Sequence, residues 1–82
     1  MYMEKYIIRI TDASRGQMYL EEFSFFGFPY ETPKKEKAYQ YTNAGTANRH
    51  AALLNSNLRF CYQQNGVPAD KQTFYNVETV NS

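Results

Sequence analysis

Apolar residues in this 82-residue chain alternate with polar ones along most of its length and change to helical spacing in a single segment. Alternation places side chains on the two faces of a strand, whereas steps of three and four place them on one side of a helix. A chain of this length has room for one small globular domain over residues 1–82. The pattern therefore predicts an α+β fold, in which an antiparallel sheet of about four to five strands carries one helix on one face.

The strands predicted before the helix share this alternation and cover residues 6–11, 17–26 and 37–42. Asp, Ser and Gly in segment 12–16 are turn residues and predict a hairpin between the first two strands. The apolar parity of the second strand changes at Glu21 and Glu22, which predicts a β-bulge there. Prolines and a glycine end this strand and predict a loop that reaches about Glu36.

The helical segment is predicted to begin at Ala44, with Thr42 or Asn43 as its N-cap. Its stripe of apolar residues consists of Ala44, Ala47, Ala51, Leu54 and Leu58. We expect the helix to end near Asn55, because the run Asn-Ser-Asn at 55–57 competes for backbone hydrogen bonds. Strands over residues 58–63 and 72–80 complete the order β-β-β-α-β-β. The pattern leaves open which face of the sheet the helix covers.

Aromatic residues dominate the apolar fraction, since Phe and Tyr number fourteen while Leu, Ile and Val together number ten. A buried tyrosine needs a partner for its hydroxyl, so several rings are expected at the surface, where they are frequent in protein interfaces. The segment 23–30 alone holds five rings. Phe26, Phe28 and Tyr30 are therefore candidate anchors for a protein partner or a second copy of the chain, unless the segment folds back to cap the sheet.

Residues 34–64 contain five basic residues and one acidic residue, although the net charge of the chain is only +1. Cations interleaved with rings on a sheet are typical of proteins that bind single-stranded nucleic acid. The alternative prediction is therefore a nucleic-acid binder with an aromatic, basic sheet face. Its candidate residues are Lys35, Lys37, Tyr39, Tyr41 and Arg59.

Catalytic chemistry has few residues to draw on, because the chain contains one histidine and one cysteine. Cys61 on a strand and His50 on the helix could meet across the interface between them, but a packed thiol and a half-exposed histidine are the simpler interpretation. The sequence also lacks the ligand spacing of a zinc site and the glycine motifs of nucleotide-binding loops. We therefore predict no enzyme and no catalytic, cofactor or metal site.

Cellular location can also be predicted from the sequence. A single cysteine excludes an internal disulfide, which favours a reducing compartment. The sequence contains neither a signal-peptide pattern nor an apolar run near the roughly 20 residues of a membrane span. We therefore predict a cytoplasmic protein without a membrane partner.

The strand-to-helix run K-A-Y-Q-Y-T-N-A-G-T-A at residues 37–47, placed between an opening strand pair and closing strands, resembles small phage- and prophage-encoded accessory proteins in layout. This resemblance implies a role exerted by binding, such as blocking a host enzyme or an antiviral defence complex. It identifies no individual functional residue.

Overall fold

A computed structural model of the protein describes residues 4–12, 14–23 and 29–81. The elements within these ranges are β1 (Glu4–Asp12), β2 (Gly16–Glu22), β3 (Tyr30–Thr32), α1 (Ala44–Asn65) and β4 (Phe74–Asn81), with short 3-10 helices at Lys35–Lys37 and Ala69–Lys71. The strands form one antiparallel sheet in the order β3-β2-β1-β4, and α1 packs against it. The predicted α+β fold is confirmed, with the element order β-β-β-α-β.

The hairpin between β1 and β2 forms where turn residues predict it. The Asp12 carboxylate accepts a hydrogen bond from the backbone N–H of Ser14 at 2.8 Å, and Gly16 adopts a φ of 78°. That positive φ favours glycine, because a Cβ atom would be strained there. The predicted bulge is also present, as a shift of register between Leu20 and Glu22 of β2.

The third strand lies earlier in the chain than predicted. β3 occupies part of the segment expected to be a loop, whereas the predicted strand over residues 37–42 contributes only an isolated bridge between Tyr41 and Tyr6. Pro29 and Pro33 flank β3, and prolines are tolerated there because β3 is an edge strand. β2 ends at Glu22. Residues 24–26 of the predicted second strand lie outside the described residues.

The helix is longer than predicted, and both the expected end at Asn55 and the strand over residues 58–63 are wrong. The buried stripe of Ala47, Ala51 and Leu54 continues to Leu58, which packs partly against the core. Neither glycine nor proline interrupts the chain between positions 45 and 66, so nothing in the backbone forces an earlier stop.

Local signals set both ends of α1. The predicted N-cap is confirmed at Asn43, whose side-chain oxygen accepts from the backbone N–H of Thr46 at 3.1 Å. The helix ends at Gly66, which takes the left-handed conformation with a φ of 62° and donates its N–H to the carbonyl of Tyr62. Gly66 therefore acts as the helix C-cap, where glycine is strongly preferred.

The core lies between α1 and the sheet face that carries Ile8 and Ile10, and these two side chains are fully buried with Leu20. Each such burial contributes roughly 1.5–3 kcal/mol. Tyr75 of β4 belongs to the same cluster, and Tyr6 packs partly against it. The helix therefore covers the face of the even-numbered residues of β1.

The opposite face of the sheet is partly covered by the segment 33–40. Ile7 lies on that face but is only 1% exposed, and together with Lys35 and Gln40 it lines an open pocket of about 310 Å³. The Lys35 ammonium lies 3.5 Å from the Glu78 carboxylate, which ties this segment to β4. The exposed area of this sheet face is therefore smaller than expected for a sheet that is covered by a single helix on its other face.

Hydrogen bonds from α1 also protect the outer edge of β4. The Asn55 side-chain amide donates to the carbonyl of Tyr75 and accepts from its N–H, both at 2.9 Å. The Tyr62 hydroxyl accepts from the backbone N–H of Thr73 at 2.9 Å. These bonds occupy backbone groups that an edge strand otherwise leaves unpaired.

Candidate binding site

A pocket of about 270 Å³ opens at the end of the sheet opposite the β1–β2 hairpin. We call it the aromatic pocket, and it is lined by Glu22, Phe23, Tyr39, Tyr41, Thr46 and His50. These residues come from the end of β2, the segment before the helix, and the first two turns of α1. The pocket therefore joins the end of β2 to the continuous segment 39–50, which lies well beyond it in the sequence.

Backbone hydrogen bonds fix the tyrosines of the pocket. Tyr39 donates its N–H to the carbonyl of Leu20 at 2.8 Å, one residue beyond Tyr19, where the pairing of β2 with β1 ends. Tyr41 and Tyr6 exchange backbone hydrogen bonds of 2.7 and 2.8 Å. The segment carrying both tyrosines thereby lies between β1 and the end of β2, which explains why the alternating pattern there resembles a strand.

The rings of the pocket contact one another closely. Phe23 stacks on His50 with centroids 3.9 Å apart, and Tyr41 meets His50 edge-on at 5.3 Å. Tyr39 and Tyr41 meet at an angle of 71° with centroids 4.7 Å apart. Such stacked and edge-on geometries are the favourable arrangements of aromatic pairs.

A hydrogen bond of 2.7 Å joins the Tyr41 hydroxyl to Nδ1 of His50. Burial raises the pKa of Tyr41 to about 12, so its hydroxyl stays protonated at neutral pH. Burial, assisted by the positive charge of Arg49, lowers the pKa of His50 and keeps the imidazole neutral. The pair is thus a neutral hydrogen bond in the pocket wall.

Tyr30, the candidate anchor for a protein partner, is 64% exposed and pairs with Glu22 across the edge of the sheet. It lies on the opposite side of β2 from Tyr39, which is 51% exposed. The other two candidate anchors, Phe26 and Phe28, lie outside the described residues.

The five residues predicted to bind nucleic acid do not share one sheet face. Tyr41 is 5% exposed and belongs to the core, while Lys35 and Lys37 lie in the exposed 3-10 helix. Arg59 is on α1, beside Thr73 at the other end of β4. Among the five candidates, Tyr39 is thus the only exposed ring. Nucleic-acid binding itself stays a prediction.

Cys61 and His50 cannot act as a pair, because both lie on α1. Eleven residues of helix separate them by about 16 Å. Cys61 is exposed, so the expectation of a thiol packed on a strand is wrong. Within residues 4–12, 14–23 and 29–81, no three His, Cys, Asp or Glu side chains cluster in a way that could hold a metal ion.

The sequence did not predict that His50 lines a pocket together with Glu22, Phe23 and Thr46. One signal for His50 was present, because it follows Ala47 by three positions and precedes Leu54 by four, which places it on the buried stripe. Thr46 carries no such signal. The meeting of β2 with the first turns of α1 depends on tertiary packing.

Comparison with known proteins gives no match: no protein-family model, no curated protein and no solved structure is significantly similar to this chain. Within the described part of the chain, no helix has the combined length and apolar character required to cross a membrane.

Proposed function

We propose that this chain is a non-enzymatic protein-binding module. Its contact surface is the aromatic end of the sheet, which we define as Tyr30, Tyr39 and the aromatic pocket. The observation that carries the proposal is the exposure of Tyr30 and Tyr39 on either side of β2, beside a pocket walled by rings. Exposed tyrosines next to a concave apolar site are typical of interface anchors.

The resemblance in layout to phage and prophage accessory proteins adds the class of partner to this proposal. Proteins of that kind act by blocking a host enzyme or an antiviral defence complex. We therefore propose a bacterial protein as the partner, with inhibition as the consequence of binding.

The test is capture from a bacterial lysate with tagged protein, performed with and without nuclease. We expect a nuclease-resistant protein at stoichiometric yield, which the double variant Tyr30→Ala, Tyr39→Ala no longer captures. Phe60→Ala is the matched control, since Phe60 on α1 is as exposed as Tyr30, at 64%. Circular dichroism establishes that each variant remains folded.

Three results would contradict the proposal. Retained material that disappears with nuclease would favour the nucleic-acid alternative, and its affinity should then fall steeply with salt. A partner retained by the double variant would remove the aromatic end as the site. Absence of any stoichiometric protein would remove the binding-module hypothesis.

A further inference from the structure

We infer that the aromatic pocket receives an arginine side chain of the protein partner, an inference that rests on the proposed protein-binding function. The guanidinium group would lie against the half-exposed Tyr39 ring and face the Glu22 carboxylate. The pocket would then bind a planar organic cation, and this contact would contribute to the specificity of the interface.

The ring geometry supports a cation as the ligand. Tyr39 and Tyr41 meet at 71°, so the buried Tyr41 ring supports the half-exposed Tyr39 ring from the side. Ring faces are electron-rich and attract cations within about 6 Å, and a flat guanidinium also stacks on them. Phe23 and His50, stacked at 3.9 Å, form a further wall of the same pocket.

The charge of the pocket has the complementary sign. Among the described residues that line it, Glu22 carries the only full charge at neutral pH. His50 adds no positive charge, because burial lowers its pKa, and the Tyr41 hydroxyl keeps its proton. A pocket with one carboxylate and no cation in its wall favours a positively charged ligand and disfavours phosphate or carboxylate groups.

Size and access fit a single side chain. The volume of about 270 Å³ is slightly below the roughly 300–1,000 Å³ of pockets for drug-sized molecules. Glu22 and Tyr39 are both exposed, so the pocket can be reached from solvent past them. Arginine suits it better than lysine, because its planar group can stack and can pair with a carboxylate through two hydrogen bonds.

The experiment uses N-acetyl-arginine methylamide as the probe and the citrulline analogue, which is uncharged and nearly isosteric, as its control. Binding is followed by NMR through the ring protons of Phe23, Tyr39 and His50. We expect saturable shifts with the arginine probe and at least about fivefold weaker binding of the citrulline analogue, as one cation–π contact accounts for about that factor.

Two glutamate variants distinguish binding in the pocket from attraction by negative charge elsewhere on the surface. Glu22→Gln should weaken binding of the arginine probe by about fivefold or more, a factor in the range of a single charge-assisted hydrogen bond. Glu21→Gln removes the same charge from the neighbouring position, which does not line the pocket, and should leave binding unchanged. Tyr39→Ala should weaken binding without unfolding the protein, because its ring is half exposed.

Equal binding of the two probes would overturn the inference, as would equal effects of the two glutamate variants or the absence of any saturable shift. These outcomes are distinguishable from failure of the proposed function. A partner whose capture still requires Tyr30 and Tyr39 would keep the binding module, while the small-molecule titration alone decides whether the pocket takes the cation.

Discussion

At the hairpin end of the sheet the Asp12 carboxylate accepts hydrogen bonds from six donors of the chain itself, whereas the aromatic pocket at the other end leaves about 270 Å³ between its walls. The six donors belong to Ser14, Arg15 and Thr73. A cleft of about 370 Å³ lies beside Asp12 as well, but the carboxylate in its wall is already saturated. Polar groups at this end therefore hold the fold together.

The pairing of carboxylates distinguishes a structural cluster from a binding site in this small domain. Arg15 donates to Asp12 at 3.0 Å and also pairs with Glu31 at 2.6 Å, so both carboxylates of the hairpin end are paired with a cation of the chain itself. At the aromatic end Glu22 lines the wall without a cation among the described lining residues. Carboxylates that are paired within the chain stabilise the protein, while a pocket whose described lining holds a carboxylate and no cation is suited to a ligand.

The largest expected effect comes from Asp12→Ala. It removes the acceptor of all six hydrogen bonds and should lower the free energy of unfolding by about 2–3 kcal/mol, the range for bonds to a charged group. Chemical denaturation measures the loss. Asp70→Ala, in the exposed 3-10 helix, is the control and should change stability by less than about 0.5 kcal/mol. Similar losses in the two variants would contradict the structural role of Asp12.

Next in size is Asn55→Ala, which leaves the N–H and carbonyl of Tyr75 without their side-chain partner. The expected loss is about 1–3 kcal/mol, measured by denaturation as before. Asn57→Ala provides a matched control two residues away, at an exposed position of the same helix. If both variants lose the same stability, helix propensity explains the effect and the edge contact does not.

A smaller loss is expected from Tyr41→Phe, which keeps the buried ring and removes the hydroxyl that bonds His50 at 2.7 Å. Stability should fall by about 0.5–1.5 kcal/mol. Tyr39→Phe is the control, because that ring is half exposed. A shift of the NMR resonances of His50 in Tyr41→Phe alone would tie the loss to this bond, and an unchanged His50 would contradict it.

The smallest effect is the pH dependence that His50 adds. Its pKa is lowered in the folded protein, by burial first and by Arg49 second, so the unfolded chain binds a proton more readily. The stability that neutral His50 contributes to the folded protein is present above the ordinary histidine pKa of about 6.5, and it is lost as the pH falls below that value. Among the described residues, Glu22 and the hydroxyls of Tyr39 and Tyr41 are the other titratable groups that line the same pocket.

We expect His50→Gln to flatten the stability profile below about pH 6.5. Asp12 acts at lower pH, because hydrogen bonds from Ser14 and then Arg15 hold its pKa well below the usual range. Its stabilisation is present above the ordinary aspartate pKa of about 3.9 and is lost as the pH falls below that value. Denaturation at several pH values separates the two groups, and an unchanged slope in His50→Gln would contradict the assignment.

Much of the fold followed from local signals. The hairpin at Asp12, the bulge at Glu22 and the cap at Asn43 each depend on a few adjacent residues, and each was predicted correctly. The segment 58–63 was predicted wrongly because Leu58, Phe60 and Tyr62 fit an alternating pattern, while Leu58 and Tyr62 also continue the helical stripe at a spacing of four.

Asn55 shows the limit of local reasoning in a single residue. A short polar side chain followed by Ser and Asn is typical of a helix end, yet here it lies within α1 and bonds the edge of β4 twenty residues later. The candidate site was predictable only in part: Tyr39 and Tyr41 were singled out from the sequence, but Glu22 and Thr46 were not.

The α+β class, the β1–β2 turn and the N-cap of α1 follow from the sequence alone, because hydrophobic period and turn chemistry act over a few residues. Only the tertiary structure decided which face α1 covers, that the segment before the helix inserts beside the bulge of β2, and that Phe23 and Tyr41 meet His50. Those contacts join residues far apart in the chain, and their energy depends on packing among elements that no local pattern encodes.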